Sequence, residues 1–522
     1  METVKLTIDG REMAAVKGTK VIQAAAEQGI TIPHYCYHPK LSIAGNCRMC
    51  LVEIDKAPRL QIACNTDVSE GMVVKTQSPK VLAARRAVME FLLINHPLDC
   101  PICDQAGECW LQDYYMQHAL HESRFEERKE HARKREIFGP NVVFDGERCI
   151  KCTRCVRFLQ EVTGTEELTV VHRGDQSTIA LFPGRTLDNP LSANVNDICP
   201  VGALTDRDFR FRARVWYLQK NPSICPGCST GCNVSIETHQ NRIGRFKPRL
   251  NDEVNGHWLC DEGRYSFHSL TEGKRPDAPL RRREGGLAPV DWPAAVETAL
   301  RGLRDHRPLA AVLSGRNTNE EAFLFARLVR KLSPEATLEV YYRERPLTEV
   351  EKLLKSPDRS PNFRGARDMG VTSGTATVDA LVEGLIAGKF AAAYVIGEDL
   401  LELPRAEEIK RALERLSFLL VQDSRLTSTA QLAHIILPST NFAEKEGTYT
   451  NRRGRVQRLA AALVPPENVL QDWEIFQRLL VAAGEERRYA SAAEIFDEIA
   501  RVTPGYGGLS RDRVGERGIQ LV

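Results

Sequence analysis

The sequence predicts a multidomain chain of mixed α+β and α/β class, on three observations. At 522 residues it is too long for one hydrophobic core. Its 15 cysteines all lie between Cys36 and Cys260. From about residue 276 onward, apolar runs bounded by glycine alternate with amphipathic helical patterns, as in a doubly wound α/β domain.

Residues 3–8 (Thr-Val-Lys-Leu-Thr-Ile) alternate like a half-buried strand. Asp9-Gly10 is a hairpin turn signal, and a second strand runs to about Val16. Thr19 is placed to cap a helix that continues through Gln28 and ends at Gly29. Together these predict a small β-grasp domain. Ser78-Pro79 then opens a helix, with serine as cap and proline at the first helical position. Val81, Leu82, Val88, Phe91 and Leu92 give that helix its apolar spacing, and Pro97 stops it. Residues 118–136 are densely charged and read as a solvated connector or helix face. Beyond 276, Leu309–Leu313, Ala391–Ile396 and Phe418–Val421 read as buried parallel strands. Glu320–Leu332 reads as a helix between two of them. No solenoid-like repeat is present.

Composition excludes several classes. Charged residues make up 27% and apolar residues 42%, with a net charge of +2. That is ordinary soluble composition, and nothing in it points to nucleic acid or to an acidic membrane surface. No uncharged apolar run reaches the ~18 residues of a membrane span. The richest stretch, Ala380 to Gly397, is interrupted by Glu383 and Lys389. Glu2, Lys5 and Asp9 leave no room for a signal-peptide apolar core. The expectation is a cytoplasmic chain, in which clustered cysteines are metal ligands rather than disulfides.

The cysteines fall into four groups. Cys36, Cys47, Cys50 and Cys64 have the spacing C-x10-C-x2-C-x13-C. A close cluster with a distant fourth cysteine after a β-grasp start is related to plant-type ferredoxins and predicts a [2Fe–2S] cluster. Zinc usually draws on two compact C-x2-C pairs, and only one is present. The second group, Cys100, Cys103 and Cys109, is one ligand short. A histidine near cysteines is more often a bystander, and His96 could simply cap the preceding helix. The cysteine tally and the helix stop raise His96 as a candidate fourth ligand, and the capping reading stays open beside it. Cys149, Cys152 and Cys155 with the remote Cys199-Pro200 follow the bacterial ferredoxin pattern. Cys225, Cys228, Cys232 and Cys260 suit either zinc or a third [4Fe–4S] cluster. No G-x-G-x-x-G follows a strand, and the lone Gly315 and Gly397 read as sheet-to-helix turns, so no NADH or flavin site is expected in this chain.

On these motifs the chain resembles the large iron–sulfur subunits of bacterial NADH:quinone oxidoreductase, respiratory complex I. The resemblance is carried by Cys36 to Cys64, by Met89 to Asp104 (MEFLLINHPLDCPICD), by Gly107 to Asp113 (GECWLQD) and by Cys199 to Leu204 (CPVGAL). From Cys225 on, the chain also resembles molybdopterin oxidoreductases. There Gln422-Asp423, Thr429-Ala430, Leu437-Pro438, Glu444, Gly447-Thr448 and Asn451 are similar to the pterin-domain signature.

The resemblance implies a particular organisation. Residues 1–77 would be a plant-type [2Fe–2S] ferredoxin domain, and 78–117 a [4Fe–4S] segment with one histidine and three cysteine ligands. Residues 118–217 would be a ferredoxin-like [4Fe–4S] domain with its charged connector, and 218–275 a fourth cluster domain. Residues 276–522 would be a degenerate molybdopterin-oxidoreductase-like α/β domain. The implied cofactors are one [2Fe–2S] and three [4Fe–4S] clusters. Molybdenum is not among them: Glu262 stands where those enzymes often carry a lysine, and no cysteine is left over for the metal. FMN and NADH would sit on a partner subunit, with other peripheral-arm subunits beside it and membrane subunits and quinone reached indirectly. The expected location is the cytoplasmic side of the inner membrane, peripheral, held through partners. By the same analogy electrons enter at the Cys36 group, pass to the Cys149 group and then to the His96 group, while the Cys225 group lies off the path. No catalytic acid, base or nucleophile is expected. Alternatives are the diaphorase-type subunit of a soluble NAD-linked hydrogenase, a formate dehydrogenase-like complex, or a zinc-stabilised scaffold.

Overall fold

Thr3–Ile8 (β1) and Arg11–Val16 (β2) form the hairpin that Asp9-Gly10 predicts, paired from Thr3 opposite Val16 to Ile8 opposite Arg11. The computed structural model describes residues 2–271, 273–372 and 377–521, in two units, Met1–Leu218 and Gln219–Val522.

In the first unit, helix α1 (Val21–Glu27) packs on a sheet that continues through Leu51–Ile54 (β3), Gln61–Ile62 (β4) and Met72–Lys75 (β5). The strand order is β2-β1-β5-β3-β4, with β1 and β5 parallel. The helix begins later than a Thr19 cap predicts. Thr19 is held in the turn leaving β2, donating to Val16 and accepting from the Val68 N–H. Lys20 is therefore the cap residue, and Gln23 Oε1 accepts its N–H at 3.0 Å. The core of this sheet includes Ile8, Val21, Val52 and Val74, together with Cys50 and Cys64.

Helix α2 (Pro79–Leu93) starts as predicted, with Ser78 Oγ accepting from the Val81 N–H. Its buried stripe is Val81, Arg85 and Met89, while Leu82 and Phe91 face solvent, Phe91 at 74% exposure. The apolar pattern alone misses this because the helix buries an arginine. Helix α3 (Trp110–His118) follows Cys109 directly. The charged segment after it is irregular but pinned. Glu90 pairs with His121 and Arg124, and Lys129 Nζ donates to the last carbonyls of α2, Leu93 at 2.8 Å and Ile94 at 2.7 Å. A cation at a helix C-terminus satisfies carbonyls that lack helical partners. The unit closes on Val142–Phe144 paired with Leu204–Asp206 and on the short helix α4 (Arg154–Phe158).

In the second unit, three antiparallel strands (Gln219–Ile224, Asn233–His239, Arg242–Pro248) precede helix Asp261–Thr271. A seven-stranded sheet follows. Its strands Ile435–Pro438, Phe418–Asp423, Ala392–Ile396, Leu309–Leu313 and Thr337–Val340 run parallel in that spatial order, and the hairpin Leu280–Arg283/Gly286–Pro289 is added antiparallel at one edge. Successive residues alternate between two cores: Leu309, Ala311 and Leu313 on one face, Ala310 and Val312 on the other. Burial on both faces explains the unbroken apolar runs in the sequence. Helix Asn319–Leu332 is capped by Thr318, whose side chain accepts from the Glu321 N–H.

Candidate metal centres

The first cysteine group lies in the loop Ile32–Cys50 and the turn after β4. Cys36, Cys50 and Cys64 are buried, and Cys47 is partly so. The Cys36 N–H points to Cys47 Sγ at 3.5 Å. The thiols form two pairs. Bonds from Cys47 and Cys50 pull the accepting thiols of Cys36 and Cys64 down, and those bonds together with burial push Cys47 and Cys50 up. Gly45 turns the loop with φ +62, where a Cβ would be strained and would press on Ile62.

The second group sits in the turn between α2 and α3. Cys103 lies within reach of the Cys100 charge, and Cys109 within reach of both. Burial raises Cys109 to about 11. His96 shares Asp99 and Arg148 as neighbours with Cys103. Burial lowers the His96 imidazole to about 4, so it is neutral at neutral pH, the form that binds metal. The Asp99–Arg148 pair is bidentate, with Nε to Oδ1 at 3.0 Å and Nη2 to Oδ2 at 2.6 Å.

In the third group Cys152 and Cys155 are buried and Cys149 and Cys199 partly so. Cys149, Cys152, Cys155 and Cys199 line one apolar cavity with Phe144 and Ile179. Burial raises all four thiols, Cys149 to about 12 and Cys152 to about 11. Lys151 and Thr153, between the cysteines, have left-handed backbones (φ +54 and +60), and the Lys151 N–H points to Cys149 Sγ at 3.4 Å. Alternating handedness turns successive N–H groups toward a common anion site.

In the fourth group all four cysteines are buried. The Gly263 N–H lies 3.3 Å from Cys260 Sγ, and a Cβ on Gly263 would stand 2.9 Å from Cys225 Sγ and 3.1 Å from Cys260 Sγ. Glu262 is ringed by Arg345, Lys355 and Arg359. Lys355, 3% exposed in its side chain, also donates to Glu351 at 2.7 Å, and its charge pulls on the Cys260 thiol.

The structure thus brings the cysteines of each predicted group together. Among the described residues no three His, Cys, Asp or Glu side chains converge as ligands of a single ion. Each thiolate of a [4Fe–4S] cluster binds its own iron, so its sulfurs need no common point. Four mostly buried cysteines in three of the groups, and three cysteines with the neutral His96 nearby in the chain in the other, suit such clusters in donor chemistry. Unpartnered buried N–H groups on Arg85, Arg148 and Arg154, beside these groups, are donors with capacity to spare. These arginines escaped the sequence reading because arginine usually lies at the surface. The one available signal was Arg154, which stands inside the Cys152–Cys155 spacing.

A cavity of about 330 Å³ opens at the carboxyl ends of the parallel strands, lined by Ser314, Arg316, Gly397, Glu398, Asp423 and Thr440 among others. Ligands of open α/β sheets bind at such edges. Among the described residues that line it there is no cysteine. Asp423 is buried with Oδ2 unpartnered, and burial raises it to about 7.

Family profiles match along the chain. Residues 1–79 match a 2Fe-2S iron-sulfur cluster binding domain, 85–124 an NADH-ubiquinone oxidoreductase-G iron-sulfur binding region, and 139–205 the ferredoxin-like domain of NADH-quinone oxidoreductase subunit 3. Residues 218–270 match a molybdopterin oxidoreductase Fe4S4 domain, and 360–482 molybdopterin oxidoreductase. The chain is 42% identical to the NADH-quinone oxidoreductase G subunit of Rickettsia felis, over 63% of this chain but only 49% of that protein. The match to the mitochondrial NADH-ubiquinone oxidoreductase 78 kDa subunit of Neurospora crassa is 33% identical over 96% of this chain and 83% of that protein. For the 75 kDa subunit of Reclinomonas americana the figures are 30%, 96% and 91%. Among solved structures, a chain of an NAD+-reducing [NiFe]-hydrogenase is 32% identical over 41% of this chain and 91% of that one, with a TM-score of 0.37. By the length shared with the mitochondrial subunits, the chain belongs to the family of NADH-quinone oxidoreductase G subunits.

Proposed function

We propose that this chain carries single electrons from an FMN-bearing partner that oxidises NADH toward quinone, as part of the peripheral arm of a complex I. The observation that carries the reading is the spacing of the fifteen cysteines in four groups, with cysteines of each group lying within reach of one another's charge. Cys36, Cys47, Cys50 and Cys64 would hold a [2Fe–2S] cluster. Three [4Fe–4S] clusters would be held by His96 with Cys100, Cys103 and Cys109, by Cys149, Cys152, Cys155 and Cys199, and by Cys225, Cys228, Cys232 and Cys260. When bound, such clusters take up and release one electron at a time.

The chain's own residues bind, shield and tune. Burial raises the four thiols of the Cys149 group, so giving up their protons costs free energy that metal binding offsets. Apolar walls such as Phe144 and Ile179 keep water from the Cys149 group. N–H groups such as those of Lys151 and Gly263 point at sulfur. The cavity at the sheet edge offers oxygen and nitrogen groups and no thiolate, and we read it as holding no molybdenum. No described helix is long and apolar enough to cross a membrane. Attachment through partner subunits on the cytoplasmic side of the inner membrane follows from this reading, as does the division at 77, 117, 217 and 275.

Metal and sulfide analysis of anaerobically purified protein, with EPR after dithionite reduction, tests it. Iron and sulfide matching one [2Fe–2S] and three [4Fe–4S] clusters is expected. Zinc in place of iron would end the redox reading, and one molybdenum per chain would make the cavity an active site. In the assembled complex, Cys149→Ala should abolish NADH-to-quinone flow and leave NADH-to-ferricyanide activity on the flavin partner. Loss of both activities in an intact complex would contradict the placement.

A further inference from the structure

Arg154 lies on α4 between Cys152 and Cys155 and is 2% exposed. Its Nη1 donates to the Ile198 carbonyl at 3.1 Å and its Nη2 to the Tyr37 carbonyl. Its guanidinium carbon stands 4.5 Å from the centroid of the Trp110 ring. Ile198 precedes Cys199, Tyr37 follows Cys36, and Trp110 follows Cys109. One buried cation therefore touches the backbone or ring beside a cysteine of three different groups. Arg157, one turn on, makes a narrower bridge. Its Nη2 donates to the Cys36 carbonyl at 2.6 Å and to the Cys152 carbonyl at 3.3 Å, and its Nη1 to the Ser42 carbonyl.

We propose that Arg154 is a positioning residue shared by the Cys36, His96 and Cys149 groups, which biases all three toward the reduced form and holds their loops in register. The inference rests on the cluster assignment above. Reduction of a centre by a one-electron mediator adds one electron, and so one negative charge, to a largely buried site. A fixed positive charge beside it favours that step. Arginine suits the role because it stays protonated, and its planar fork reaches carbonyls on two loops while stacking on a ring. Arg157, which touches two of the groups, should act on those two.

The test is an EPR-monitored redox titration of the full-length, cluster-loaded chain, comparing Arg154→Gln, Arg154→Lys and Arg157→Gln with the unaltered protein. A unit charge about 10 Å away across an effective permittivity of about 20 is worth about tenfold in the ratio of reduced to oxidised centre. Tenfold corresponds to about 59 mV for a one-electron couple. In Arg154→Gln that ratio, read at each centre's original midpoint, should fall about tenfold for all three centres. In Arg154→Lys it should stay within about threefold, because the charge is kept. An Arg154→Gln protein with its full iron and unmoved midpoints would overturn the proposal. So would a shift confined to one centre, or an Arg154→Lys shift as large as that of Arg154→Gln. Should Arg154→Gln fail to load its clusters, Arg157→Gln decides. It should lower the Cys36 and Cys149 centres and leave the His96 centre within about threefold, and any other pattern refutes the shared-charge account. An unaltered protein without iron would instead sink the cluster assignment itself.

Discussion

Gly202 lies in the loop after Cys199, yet its substitution should damage a different cysteine group. A Cβ built on Gly202 would stand 2.5 Å from Cys103 Sγ, 3.1 Å from Gln105 Cβ and 3.5 Å from Arg148 Cδ. Ordinary contacts between such atoms begin near about 3.5 Å, so in Gly202→Ala the Cys103 sulfur must retreat by roughly 1 Å. Metal–ligand distances tolerate about 0.2 Å. Overpacking of this kind costs about 1–3 kcal/mol, which corresponds to roughly 5- to 150-fold weaker cluster retention. Anaerobic iron and sulfide analysis with EPR should show Gly202→Ala short of one [4Fe–4S] equivalent. The lost signal should be that of the His96 group, with the Cys149 group retained. Gly227→Ala is the comparison: its Cβ would meet Cys225 Sγ at 3.4 Å, an ordinary contact, and it should keep its full iron. A Gly202→Ala protein with full iron and unchanged signals, or one that lost only the Cys149 centre, would refute the reasoning.

Three further predictions concern charge, packing and ligation. Burial raises the Asp423 carboxyl from 3.8 to about 7, so the folded state binds more protons than the unfolded between about pH 4 and pH 7, and its contribution to stability falls as pH rises through that window; the full penalty above pH 7 is about 4 kcal/mol. Urea unfolding at pH 5 and pH 8 should therefore show a flatter pH dependence in Asp423→Asn than in the unaltered chain, and equal slopes would count against it. Phe476 is fully buried against Phe325, with ring centroids 5.5 Å apart, so Phe476→Ala should cost about 3–5 kcal/mol in the unfolding of the second unit. His96→Cys should keep a [4Fe–4S] cluster and lower its midpoint, because a thiolate adds negative charge where a neutral imidazole stood, and an unmoved midpoint would argue against direct ligation.

Much of this was legible in the residues, for physical reasons that can be named. The β1–β2 hairpin, the Ser78 cap and the strand Leu309–Leu313 are specified by local chemistry: a turn dipeptide, an oxygen ahead of a proline, an unbroken apolar run. The cysteine groups were legible because ligand spacing is a short-range pattern that folding then closes. Tertiary choices were not. Helix α2 turns Arg85 inward and Phe91 outward, against its apolar pattern, because Arg85 reaches back toward the Leu51 carbonyl beside Cys50. Gly202 reads as part of the Cys199 loop, and only the fold shows that it makes room for Cys103. Lys355 lies far along the chain from Cys260 and reaches Glu262 only through a long-range pairing.

Those missed residues share one role. The chain's 71 basic and 69 acidic residues nearly cancel, so its net charge suggests no internal field. The field is nonetheless organised. Arg85 lies by Cys50, Arg148 by Cys103, Arg154 and Arg157 between the Cys36 and Cys149 groups, and Lys355 by Cys260. Thiolates gathered in a dry interior carry a charge that would be costly if uncompensated. Their cations must therefore be buried too, and a buried cation must be fixed by carbonyls or carboxylates. Arginine meets both demands, since it stays charged and reaches several acceptors at once. Lys355 meets them only with two carboxylates, Glu262 and Glu351, around it. Arg345 and Arg359 share Glu262 with it, and in the His96 group Arg148 is likewise paired, with Asp99. On these grounds the Cys36 and Cys149 centres, whose cations Arg154 and Arg157 are fixed by carbonyls, should be more easily reduced than the fourth, whose cations Arg345, Lys355 and Arg359 share the carboxylates of Glu262 and Glu351, and a redox titration resolving all four signals would test that ordering.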